Sequence, residues 1–76
     1  MPPKKSSANQ KLAGAIRETR SQAGYSQEQF ARAAGLDRSY FAAVERGELN
    51  ISFDTLVKIA TGLDTKVSAL CARARL

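Results

Sequence analysis

Between Arg38 and Arg46 the chain reads RSYFAAVER, setting two arginines, a serine and a tyrosine beside two alanines. A guanidinium donates paired hydrogen bonds to a planar acceptor, and a hydroxyl donates or accepts singly. Alanine adds almost no bulk. On a helix turning about 100° per residue from Arg38, Phe41 falls at about 300° and Val44 at about 240°. These two apolar residues put the buried direction at about 270° and the exposed side at about 90°. Ser39, Ala42, Ala43 and Arg46 lie within about 50° of that exposed direction, with Arg38 and Tyr40 on its flanks.

Such a side, small in the middle and basic or hydroxylic at its ends, suits the major groove of double-stranded DNA. Arginine can donate two bonds to guanine N7 and O6, and alanine can touch a thymine methyl. Ser39 can bond a base or a phosphate, and Tyr40 can lay its ring against a sugar or methyl. The plainer alternative is that Ala42 and Ala43 are only good helix formers.

Glu45 falls at about 340°, on the inner edge of the same helix. Leu12 and Ile16 form an apolar stripe four residues apart, and its next position is Arg20. Two inward charges of opposite sign in one small domain predict an Arg20–Glu45 salt bridge, tying the first helix to the third.

The elements that would hold these residues are helical throughout. A first helix is expected from about Asn9 to Ala23, ended by Gly24. Ser26 starts a second, with Gln29 three residues on in a capping-box arrangement. It carries Phe30, Ala31 and Ala34 inward and stops at Gly35. Asp37 can cap a third helix, Arg38 to Arg46, ended by Gly47. Ser52 or Asp54 caps a fourth, with Leu56, Ile59, Ala60 and Leu63 on one side, broken by Gly62 and Asp64. Thr65 can cap a last helix, from about Lys66 to Arg75. The fold expected is all-α, a bundle of about five short helices, with a helix-turn-helix over about 26–47. Residues 1–8 are expected to be a flexible basic arm or a terminus without a role, and residues 9–76 the domain.

Composition narrows the class. The 76 residues allow one domain. Twelve Lys and Arg against seven Asp and Glu give a net charge of +5. That suits nucleic acid, an acidic membrane surface, or simply a basic solvated exterior. With no His and one cysteine, Cys71, neither a zinc cluster nor an internal disulfide can form, and no cofactor is expected. The lone thiol fits a reducing cytoplasm. No apolar run suits a signal peptide or a membrane span.

The segment from about Leu12 to Leu63 closely resembles the Cro/C1-type, or xenobiotic-response-element, helix-turn-helix family of bacterial regulators. The residues that carry the resemblance run IRETRSQAGYSQEQFARAAGLDRSYFAAVERGELNISFDTLVKIATGL. An R-x-x-R near the end of the first helix is followed in order by S-Q-E-x-F-A, A-G-L and E-R-G. Within that family the short length and LDRSYFAAVERGELNIS look most like controller proteins of restriction–modification systems. Those are single-domain dimers that regulate their own gene and the endonuclease gene.

The resemblance implies a lambda-repressor-like fold and roles by position. Gln27 would bond a DNA phosphate; Arg38, Ser39, Tyr40 and Ala43 would read bases. Arg46, Asn50 and Ser52 would touch the DNA backbone, and Arg20 and Glu45 match the family's internal salt bridge. Many relatives carry Gln or Thr where this chain has Arg38, so the operator is not carried over. Phage-type repressors and antitoxins share much of the pattern.

The expected activity is sequence-specific transcription regulation by a homodimer on a palindromic operator, with RNA polymerase a further partner that such a role admits. The dimer surface is expected on the C-terminal segment, about 65–76, through Val67, Leu70, Cys71, Ala74 and Leu76. The alternative for these residues is to cap the monomer core. No ligand domain fits, so control by protein concentration is expected and no small-molecule ligand. A protein-interaction module on the same fold is the rival class. An enzyme fits least, lacking His, a base beside Cys71 and a Gly-rich phosphate loop.

Overall fold

Helix α1, Ser7–Gln22, forms around Ala13, Ala15 and Ile16, which it buries on one side. The computed structural model describes residues 7–76, so most of the expected arm lies outside the described residues. Ser7 and Ala8, expected in that arm, are instead the first turn of α1. Four further helices follow: α2, Gln27–Ala33; α3, Arg38–Glu45; α4, Phe53–Gly62; and α5, Val67–Arg73. Among the described residues there is no strand.

Side-chain caps set the starts of α2, α3 and α4. The Ser26 hydroxyl accepts from the Gln29 N–H at 3.0 Å, and Gln29 Oε1 accepts from the Ser26 N–H at 2.9 Å. Asp37 Oδ2 accepts from the Tyr40 N–H at 3.0 Å, and the Ser52 hydroxyl from the Thr55 N–H at 3.1 Å. Each cap satisfies a donor that the first helical turn leaves unpaired.

Between α2 and α3 the chain reverses through Gly35 at φ +70°, and the Leu36 N–H closes back on the Ala31 carbonyl at 2.8 Å. A side chain at that φ would be strained, so glycine sets this corner. Gly47, at φ +72°, ends α3 the same way and lies so close to α1 that a Cβ would meet Gln10 Cα at 3.2 Å.

The core joins all five helices through Ile16, Phe30, Phe41, Ile59 and Leu70, each essentially sealed from solvent. Phe30 is its centre. Its ring lies 5.1 Å from Phe41 and edge-on to Tyr25 at 5.4 Å, separations at which aromatic pairs attract. α1 packs on α3 and α5, α2 on α3, and α4 on α5.

Three expectations about the C-terminal third are corrected. Gly62 does not break α4 but is its last residue, where a Cβ would lie 3.0 Å from the Phe30 ring. Asp64, at φ +56°, makes the stop, and the Thr65 N–H closes on the Ala60 carbonyl at 2.9 Å. Thr65 thus finishes α4 and does not cap α5, whose N-cap, Lys66, makes no side-chain cap bond. Leu70 and Ala74, expected at a dimer surface, are buried in the chain's own core at 1% and 6% exposure. Val67 and Cys71 are half-buried, and only Leu76 of that group is well exposed.

Candidate nucleic-acid interface

α3 divides by angle. Phe41, Val44 and Glu45 are buried, Ala42 and Ala43 are half-buried, and Arg38, Ser39 and Arg46 face solvent. The aromatic and aliphatic residues fix the helix on the core, and its other side stays open.

A carboxylate fixes its rotation. Glu45 is 2% exposed, and burying a carboxylate requires full compensation. Arg20 supplies it with two bonds, Nε to Oε2 at 2.7 Å and Nη2 to Oε1 at 3.1 Å. A third comes from Gln27 Nε2, which donates to Oε1 at 2.9 Å. The remaining Arg20 nitrogen, Nη1, donates to the Tyr25 carbonyl at 2.8 Å. Arg17 Nη1 reaches the Glu45 carbonyl itself at 3.0 Å, so α1 also holds the carboxyl end of α3. Arg20 and Glu45 therefore stand as the ion pair that the stripe implied. The roles of Arg17 and of Gln27 within it were not read from sequence. Gln27 reaches Glu45 because the turn after α1 brings α2 alongside α3, and Arg17 because α1 itself packs on α3.

Beside this network lies a shallow cleft of about 290 Å³ lined by Gln27, Arg38, Ser39, Ala42 and Arg46. Four of the expected contact residues thus converge on one concave surface, with the small Ala42 among them. Tyr40 and Ala43 stand aside from that cleft and are half-buried; Tyr40 packs against the core. Asn50 is held elsewhere, its Oδ1 accepting from Asn9 Nδ2 on α1. Ser52 spends its hydroxyl on Thr55, accepting from the backbone N–H and donating to Oγ1 at 2.9 Å.

Two carboxylates border the cleft. Glu28 Oε1 lies 3.9 Å from Arg38 Nη1, and Glu48 Oε2 lies 3.0 Å from Arg46 Nε. The Glu48 hydrogen bond and charge raise the Arg46 pKa above its ordinary value, leaving the guanidinium charged at any physiological pH. No group of metal-ligating side chains occurs among the described residues, and no helix there is long and apolar enough to cross a membrane.

Residues 16–70 match the helix-turn-helix family. Control protein C.SmaI of Serratia marcescens is 42% identical over 62 residues, spanning 82% of this chain and 74% of that protein. Control protein C.MunI of a Mycoplasma species is 44% identical over 45 residues, 59% of this chain and 61% of that protein. The crystal structure of the restriction-modification controller protein C.AhdI from Aeromonas hydrophila superposes with a TM-score of 0.78 at 44% identity. That match covers 82% of this chain and 94% of that one.

Proposed function

The chain belongs to the Cro/C1-type helix-turn-helix family, and from that premise we propose that it is a sequence-specific DNA-binding regulator of the restriction–modification controller kind. The observation that carries this reading is the cleft on α3, where Gln27, Arg38, Ser39 and Arg46 converge with Ala42. In it, Arg38 and Ser39 enter the major groove and read base edges, with Tyr40 and Ala43 at the margin. Gln27 and Arg46 meet phosphates, and Gln27 stands at the start of α2, where free N–H groups favour an anion. Asn50 and Ser52 contribute through the loop they brace.

The protein acts as a homodimer on a palindromic operator, with half-sites about 34–36 Å apart. In place of Leu70 and Ala74, the dimer surface is assigned to the apolar groups left open: Phe53 at 68% exposure, Val57 at 40% and Leu76 at 56%. Phe53 and Val57 are four residues apart on α4 and so share a face. Val67 and Cys71 add the half-buried margin. Likeness to two control proteins supports autoregulation of a restriction–modification operon, with dimerisation making the response steep in concentration.

Selecting bound duplexes from a random pool tests this reading. The expected winner is a palindrome bound roughly 10³-fold or more above random DNA. Its log K should fall with log salt by about 0.9 per phosphate neutralised. Weak, equal binding to every duplex would instead identify a protein-interaction module.

A further inference from the structure

Both arginines of the α3 cleft face a glutamate, Arg38 with Glu28 and Arg46 with Glu48. The chain carries +5 overall, yet these two positive and two negative groups cancel across its reading face. Asp37, capping α3 beside Arg38, adds another carboxylate. A surface selected only to attract phosphate would not carry them. Phosphate attraction is the sequence-independent part of DNA affinity, so masking the arginines removes affinity that does not discriminate.

The two glutamates sit differently. Glu48 follows α3 and bonds Arg46 at 3.0 Å. Glu28 belongs to the first turn of α2, adjoins Gln27, and stands at 3.9 Å from Arg38, the limit of ionic contact. Both members of that pair are largely exposed, 68% for Arg38 and 49% for Glu28, so the contact is weak enough for the two bonds of a guanine edge to replace it.

We propose that Glu28 is a specificity-determining residue, one that keeps Arg38 from unrelated phosphates and releases it to a guanine edge. On random sequence Arg38 stays with Glu28 and releases no counterion, while Glu28 repels the backbone near Gln27. On the operator, two bonds to N7 and O6 replace the long contact at the groove floor, away from that backbone. The inference rests on the DNA-binding reading above.

The test compares the intact protein with E28Q and E48Q. Each is titrated against the tightest duplex from random selection and against a random-sequence duplex, over a salt series. For E28Q the expected result is random-duplex affinity raised about twofold to fivefold, the scale of one exposed charge contact, with a smaller rise on the selected duplex. The operator-to-random ratio falls accordingly, and the random-DNA salt slope steepens by about 0.9, one further phosphate. E48Q should raise both affinities together and leave the ratio unchanged. In an Arg38→Ala background the effect of E28Q on the ratio should vanish. Equal rises on both duplexes for E28Q, or no rise, overturn the proposal while leaving the regulator reading intact. Wild-type protein that fails to discriminate among duplexes overturns both.

Discussion

The Gln27 side chain, at the first residue of α2, donates from Nε2 to Oε1 of Glu45, at the last residue of α3, across 2.9 Å. The carboxylate that receives Arg20 therefore also holds the amide at the lip of the cleft. An amide nitrogen has two hydrogens, so one can bond Glu45 while the other faces a phosphate.

Gln27→Ala should weaken operator and random duplexes alike. The expected loss is about 1 kcal/mol, the usual net worth of such a bond. Because the amide is neutral, the salt slope should not change. Fluorescence anisotropy over a salt series measures both quantities, and a loss confined to one base position would reassign Gln27 to base reading.

Arg20→Met should cost ~3–5 kcal/mol in urea unfolding, since it strands the Glu45 carboxylate in the core. Arg20→Met combined with Glu45→Leu should recover much of that loss by removing both charges. If the double variant is no more stable than the single, the penalty comes from lost packing and not from an unpaired charge.

Arg38→Ala and Arg46→Ala should separate by kind of effect. The first should cost about 1–3 kcal/mol on the selected operator and relax preference at a guanine. The second should weaken every duplex and make the salt slope shallower by about 0.9. Repeating the random-pool selection with each variant reads both outcomes. A uniform loss for Arg38→Ala would place it on a phosphate.

Two glycine substitutions should move stability in opposite directions. A Cβ on Gly14, within α1, meets nothing nearer than Arg17 Nη2 at 4.0 Å, so Gly14→Ala should raise stability by about 0.5–1 kcal/mol. A Cβ on Gly62 lies 3.0 Å from Phe30, whose buried ring is hemmed in by Tyr25 and Phe41. Gly62→Ala should therefore cost about 1 kcal/mol or more through overpacking. Melting temperatures of the pair check this, and equal shifts would refute it.

Much of the fold was legible because its signals are local. Ser26 with Gln29, Asp37 and Ser52 cap over three residues, a distance the sequence displays directly. Phe41 and Val44 were legible as core from their type, and Glu45 followed from the angle they set. Gly62 was misread because its reason is Phe30, 32 positions earlier, and nothing near Gly62 records that ring. Thr65 looked like a cap because its type is right, but α5 begins at Val67, which puts Lys66 at the capping position instead. Leu70 and Ala74 seemed surplus to the core because the sequence does not show how deeply α5 enters it. Of the residues lining the cleft, Arg38, Ser39 and Arg46 were legible as exposed from their angles, and Gln27 was singled out only through the family pattern. Glu28 and Glu48 were not, since pairing between long exposed side chains depends on where the elements finally lie.

The eight residues of α3 serve two independent constituencies. Its inner side answers to Phe30, Arg20 and Arg17, while on its outer side Arg38 and Ser39 stand in solvent, Arg38 with the long contact to Glu28. Changes at exposed positions remote from special contacts usually alter stability by no more than about 0.5 kcal/mol. The exposed positions 38 and 39 can therefore drift, or be rewritten by design, while the mounting stays fixed. A lineage could in this way change what that face meets without passing through an unfolded intermediate sequence.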